Sequence, residues 1–399
     1  MKHRIAIVVA LALAALAFDA AFATRHGFFD LKVYYGAINF WAHGEGELYD
    51  FIKPHSTYGF TYPPFAAVAM LPMAVVPWGV AIGIASVLTI VATGLVIWWL
   101  LPDRENRIYT FGLIMALLIA FEPLRETFLF GQVNMLLVAI VAADLFFGVG
   151  RGRRWAGIGI GLATAVKLTP GLFIVYLLVT KRFRAAFVAM ATAAAVTLAT
   201  AAAAPDMARE FFTSALFETD RVGSLAFVSN QSLQGLVARL DPSDPSKLLW
   251  LVLALGVLVI WIVRIRRAVA AGDEAAGLAL TGIVSCLVSP VTWIHHLVWL
   301  IPALVLLVVA GAGASGRRRW WPWGLAGVSY AILCSKLVWP FDNHFGSIGG
   351  YLGSNAYVLI ALVLLFATPT RSAQDAVAQL GVAVGGASRG PHITDPVRS

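Results

Sequence analysis

The sequence predicts an all-α fold, a polytopic bundle of about twelve transmembrane helices, and three observations carry that expectation. Hydrophobic residues fill 60% of 399 positions and charged residues only 13%, about half the roughly 25% charge of ordinary soluble domains. Apolar runs near the roughly 20 residues needed to cross a ~30 Å hydrocarbon core recur from residues 5–23 to 358–366. Short basic clusters separate many of these runs. Inside lipid every backbone amide needs a partner, and a helix supplies it from within one segment.

Taken in order, the elements fix a topology. Lys2 and Arg4, an apolar stretch and then Ala21-Phe22-Ala23 look like a leader with a cleavage site. Because many more spans follow, the segment reads as the first membrane helix. Its basic start and the clusters at 151–154, 181–184, 264–267 and 317–319 are expected to face the cytoplasm. The stretches 24–62, 122–134, 205–247, 289–296 and 339–350 then share the opposite aqueous face. A net charge of +8 dispersed in this way forms no basic amphipathic face, which argues against a nucleic-acid partner.

Two segments depart from simple spans. Residues 63–78, with Pro63, Pro64, Pro72 and Pro77, read as an interfacial or re-entrant element, because proline breaks a helix interior. Residues 155–180 must enter and return within about 26 positions, too few for two crossings, so they read as a broken hairpin with Lys167 at its apex. A lysine at that depth faces a hydrated cavity or an anion. Residues 1–370 form the membrane unit, with 24–62 as its first outer loop, and 371–399 read as a disordered cytoplasmic tail. Cys286 and Cys334 sit in apolar segments, without metal-ligand spacing, and read as core.

The candidate chemistry gathers on the outer face. Asp30 begins a helix running to about Trp41, with Tyr34 and Ala37 on its own side, and an N-cap role is equally open to it. Tyr62 closes the first loop. Glu122, Arg125, Gln132 and Asn134, then Asn230 and Gln231, then Trp293, His295 and His296 place hydrogen-bonding groups beside helix ends. Carboxylates, amides and aromatic faces suit a sugar, whereas a lipid phosphate needs cations, for which Lys167, Arg221 and a histidine are available. Amides at helix ends equally often satisfy nearby backbone, and tryptophans near a headgroup region often serve as anchors. His295 and His296 would lie about 100° apart on a helix, so one of them enters the cavity, His296 by preference. No zinc spacing, paired DxD carboxylates, Walker loop or GxGxxG is present, so neither a metal nor another cofactor is expected.

Read together and in order, Phe29-Asp30-Leu31-Lys32-Val33-Tyr34-Tyr35, Thr61-Tyr62-Pro63-Pro64-Phe65, Gly131-Gln132-Val133-Asn134, Lys167-Leu168-Thr169-Pro170, Asn230-Gln231-Ser232-Leu233 and Trp293-Ile294-His295-His296 carry a resemblance. The chain resembles the polyprenyl-phosphate-mannose-dependent mannosyltransferases of glycosyltransferase family 87, membrane enzymes of the GT-C class. The resemblance implies a catalytic carboxylate in the first extracytoplasmic loop, and Asp30 is the matching position. It also implies a polyprenyl-phosphate mannose donor, a phosphatidylinositol mannoside acceptor, an α-1,2 product formed with inversion, and a plasma-membrane location among membrane lipids. Transfer to lipomannan or lipoarabinomannan, or of another sugar, is the neighbouring alternative. A lipid flippase or transporter is less favoured, since no inverted repeat is evident.

Overall fold

The computed structural model describes residues 2–22, 24, 26–216 and 223–371, so Arg221 and the tail from residue 372 lie outside the described residues. Within them the chain is helical, apart from one isolated bridge between Ile52 and Gly59. The α-helices are α1 (Lys2–Phe22), α2 (Phe29–Ala42), α3 (Pro64–Met70), α4 (Trp78–Leu100), α5 (Arg107–Ile119), α6 (Glu122–Phe130) and α7 (Asn134–Ala143). They continue as α8 (Ile158–Val166), α9 (Leu172–Val179), α10 (Phe183–Ala203), α11 (Pro205–Glu210), α12 (Leu233–Ala238) and α13 (Lys247–Ala270). Last come α14 (Glu274–Val288), α15 (Ile301–Gly313), α16 (Trp320–Cys334), α17 (Ile348–Ser354) and α18 (Ala356–Ala367).

Among the described residues, five helical stretches are long and apolar enough to cross a membrane, or up to seven if each of two bent pairs counts as one span. Length and composition alone therefore identify fewer spans among the described residues than the expected dozen, with shorter apolar helices beside them. Helices α5, α14 and α16 hold only 13 to 15 residues, short of the roughly 20 that a straight crossing needs. The pair α6–α7 bends by 112° and α17–α18 by 66°. Residues 63–78 form seven-residue α3 and a four-residue 3-10 turn broken at Pro72, so they make no full-length span.

Side-chain contacts collect the basic clusters at one end of the bundle. Arg4 reaches Asn106 at the α4–α5 turn, Arg184 caps the carbonyls of Gly152 and Arg153, and Arg264 bonds the carbonyls of Leu365 and Thr368. Helices α8 and α10 both start there and run parallel. Gly157 and Gly161 permit their contact, since a Cβ on Gly161 would lie 2.4 Å from the Ala189 carbonyl oxygen. Without a hydrophobic force between helices in lipid, small residues make such close packing possible.

At the opposite end, α2 and the loop after it form a separate aromatic core. Tyr34, Tyr49, Phe60 and Tyr62 are buried there with Met207 and Phe211. Ring centroids lie 6.1 Å apart for Tyr34–Phe60 and 5.8 Å for Tyr49–Phe211. Each aromatic burial of this kind stabilises by roughly 1.5–3 kcal/mol. This core fixes α2 and Tyr62 over the ends of α6, α7 and α8.

Candidate active site

Helix α2 starts at Phe29, behind a left-handed Phe28 (φ 58°) whose side chain makes no cap. Asp30 therefore lies in the first turn and is not the N-cap residue. Its carboxylate instead bonds across the fold, with Gln132 Nε2 donating to Asp30 Oδ2 at 2.6 Å. Gln132 is brought there by the α6–α7 corner. Gly131 ends α6 in the left-handed region (φ 72°), and a Cβ on it would lie 2.6 Å from Leu31 Cβ. Glycine is required at this position, and the corner closes against α2 beside Asp30.

From Gln132 a continuous hydrogen-bond chain leads to Lys167. Tyr62 Oη donates to Gln132 Oε1 at 2.8 Å, while Tyr34 Oη donates to Tyr62 Oη at 2.9 Å. Lys167 Nζ donates to Tyr62 Oη at 3.1 Å and to Asn134 Oδ1 at 2.9 Å, and lies 3.1 Å from His296 Nε2. Lys167 occupies the break between α8 and the 3-10 turn Thr169–Gly171, at the apex that the sequence indicates. Asp30, Lys167 and His296 are partly exposed, whereas Tyr34, Tyr62, Gln132 and Asn134 are buried between them. The buried residues act as a frame, and the partly exposed ones remain accessible.

The electrostatics suit proton abstraction beside an anion. Burial pushes the Asp30 carboxyl up to about 6, against the opposing pull of the Gln132 hydrogen bond and of Lys167 and His26. A carboxylate of that strength is a usable base near neutral pH. Tyr62 is pushed upward by burial, so it stays a neutral hydroxyl.

Asn230, Gln231, Glu122 and Arg125 lie apart from this hydrogen-bond network, whereas His295 and Trp293 adjoin it through Asn134 and His296. Asn230 and Gln231 are fully buried. The Asn230 side chain bonds the carbonyls of Leu225 and Pro290 and accepts from Thr292 N–H; that of Gln231 bonds the carbonyls of Val228 and Ser354 and accepts from Val358 N–H. Their polar groups are committed to backbone. Glu122 is likewise fully buried, accepting from Trp339 Nε1 at 2.7 Å and from Tyr357 Oη. Arg125 pairs with Asp19 at 3.1 Å and lies within 4 Å of Glu122 and Glu126. These residues form a second cluster, held together by protein partners. His295 packs its ring beside Phe130 (5.3 Å), and its carbonyl accepts from Thr127 and Asn134. Trp293 is half-buried against Phe227 at 6.0 Å.

His26, four residues before Asp30, escapes the sequence reading. It contacts Glu126 at 2.6 Å and stacks on Phe130 at 4.0 Å. A histidine so close to the candidate base is the only available signal, and its acidic partner lies a hundred residues later.

Comparison with known proteins gives a consistent picture. A family model described as glycosyltransferase family 87 matches residues 60–290. The chain is 34% identical over 311 residues to a polyprenol-phosphate-mannose-dependent alpha-(1-2)-phosphatidylinositol mannoside mannosyltransferase of Mycobacterium tuberculosis, covering 73% of this chain and 71% of that protein. It is 33% identical over 355 residues to a polyprenol-phosphate-mannose-dependent alpha-(1-2)-phosphatidylinositol pentamannoside mannosyltransferase of Mycolicibacterium smegmatis, covering 84% of each. No solved structure matches the chain.

Proposed function

The chain belongs to glycosyltransferase family 87, and from that membership we propose that it transfers mannose from polyprenyl-phosphate mannose to a phosphatidylinositol mannoside, forming an α-1,2 linkage. The observation that supports this reading is the hydrogen-bond chain joining Asp30 to Lys167 through Gln132 and Tyr62. It brings an acid and a cation from distant parts of the sequence into one frame.

In the proposed reaction, the acceptor hydroxyl oxygen attacks C1 of the donor mannose and Asp30 takes the hydroxyl proton. The bond from C1 to the phosphate oxygen breaks as the new bond forms, and prenyl phosphate leaves with the electron pair. Attack opposite the leaving group inverts a β-linked donor to an α-linked product. The departing phosphate gains negative charge, which in this reading Lys167 and His296 stabilise without reorganising. The site works on the extracytoplasmic side of the plasma membrane, within a GT-C membrane unit spanning residues 1–370. Basic clusters at the other end of the bundle favour that orientation.

The test is Asp30→Asn in purified full-length protein, given both lipids, with the glycolipid products compared. Loss of about 10²–10⁴-fold in transfer is expected for removal of a general base. Undiminished transfer by a folded variant removes Asp30 from that role.

A further inference from the structure

A cavity of about 750 Å³ lies between α1, α4, α5 and α6, and Asp30 is not among its lining residues. Its walls are almost wholly apolar, with Val8, Leu16, Ile90, Met115, Ala116 and Ile119 among them. Thr89 and Thr93 also line it, but their hydroxyls are bonded to carbonyls of their own helix. Along α1 the lining runs from Val8 to Ala20, about 18 Å at 1.5 Å per residue. Only Ala15 of α1 is buried, so one wall of the cavity is a helix otherwise open to lipid.

The polar end of the cavity is the Asp19–Arg125 pair. Beside it, Leu129 lines the cavity and its carbonyl accepts the Phe28 N–H at 2.9 Å, two residues before Asp30. A chain lying in this cavity therefore carries its head toward the reacting groups.

Charge decides which lipid fits. Arg125 is already engaged by Asp19, Glu122 and Glu126, and Lys336 is turned onto Thr24 Oγ1 at 2.8 Å. A phosphate placed there would meet three carboxylates and a cation with partners of its own. In the prenyl donor the phosphate is bonded directly to the reacting sugar, so it belongs at Lys167 and His296. In a phospholipid-anchored acceptor the reacting hydroxyl is separated from the acyl chains by the whole headgroup. Its glycerol ester spaces the phosphate from the acyl chain, so the chain can enter here without a phosphate resting on the acidic cluster, whereas a prenyl chain is bonded directly to its phosphate.

We propose that this cavity holds an acyl chain of the glycolipid acceptor, entering from the bilayer past α1. The proposal rests on the transferase reading above. It makes α1 and α5 part of acceptor selection, by chain shape, separate from the chemistry at Asp30.

Ala116→Phe and Ala12→Phe, made singly in the full-length reconstituted protein, narrow the cavity from α5 and from α1. Each is expected to raise KM for a phosphatidylinositol mannoside acceptor by roughly five- to tenfold and to leave KM for the prenyl donor within about twofold. A rise in donor KM instead places the prenyl chain in the cavity and overturns the proposal. No change in either overturns it in favour of bulk lipid. A second measurement needs no variant: a phosphatidylinositol mannoside carrying a diazirine in its acyl chain is expected to label peptides of α1 or α5. Labelling confined to other helices overturns the assignment. If the unmodified protein transfers no mannose yet labels at α1 or α5, the transferase reading fails while the chain site stands.

Discussion

Gln132 holds one oxygen of Asp30 at 2.6 Å, and among the described residues the other accepts no hydrogen bond. The amide cannot flip without turning its Oε1 away from the Tyr62 hydroxyl, 2.8 Å distant. The carboxylate is thus oriented by a residue that is itself oriented. That arrangement leads to tests of base, cation, corner and scaffold in turn.

The base should set the acid limb of the pH profile. Asp30 takes a proton only when ionised, and its carboxyl is pushed up to about 6, so kcat/KM should fall about tenfold per pH unit below that value and level off above it. The Gln132 hydrogen bond favours the charged form. Gln132→Leu should therefore raise the pKa and move the limb to higher pH, and a limb that moves down separates it from Asp30.

The cation should govern donor handling. Lys167→Met removes the ammonium and should lower kcat/KM for the donor by roughly 10²–10³-fold. Lys167→Arg should restore little, because a planar guanidinium does not reproduce the three directions to Asn134, Tyr62 and His296. Steady-state kinetics with varied donor would check this, and unchanged donor kinetics in Lys167→Met would sink the assignment.

The corner should be intolerant of any side chain. Gly131→Ala places an L-residue in the left-handed region at a cost of about 1–2 kcal/mol, and its Cβ would lie 2.6 Å from that of Leu31. Thermal melting should show the loss, and kcat should fall with it because Gln132 is the next residue. A variant with native melting and native kcat would show that the corner does not position Gln132.

The scaffold should behave differently from the site. Arg239 is buried, donating to Asn355 Oδ1 and to the carbonyls of Phe227 and Asn230. Arg239→Met strands those acceptors, at roughly 1–3 kcal/mol for each one left unsatisfied. The melting temperature should drop while the acid limb of the pH profile stays where it was. A shifted limb with unchanged melting would move Arg239 into the catalytic frame.

The sequence made some of this legible and hid the rest for a physical reason. Membrane character followed from composition, and the helix from Asp30 to about Trp41 followed from pattern. The break at Lys167 followed from the short distance between two basic clusters. Polar residues near helix ends could be identified as candidates, but their partners could not. Gln231 looks as available as Gln132 in the sequence, yet its amide reaches the carbonyl of Ser354, 123 positions away. Glu122 is similarly claimed by Trp339 and Tyr357. The span count is less legible, since α5, α14 and α16 hold only 13 to 15 residues and length alone does not assign them as crossings.

Helix α8 has a consequence that reaches beyond its nine residues. Its first turn is tied to Asp144, whose carboxylate accepts from Gly157 N–H and Ile160 N–H, both at 2.9 Å. Lys167 follows its last residue, roughly 13 Å along the axis. The ammonium is therefore the tip of a mast stepped at the end of the bundle that holds the basic clusters. Loosening the step tilts the tip, so on the transferase reading proposed above donor turnover should respond to substitutions at Asp144, far from the sugar.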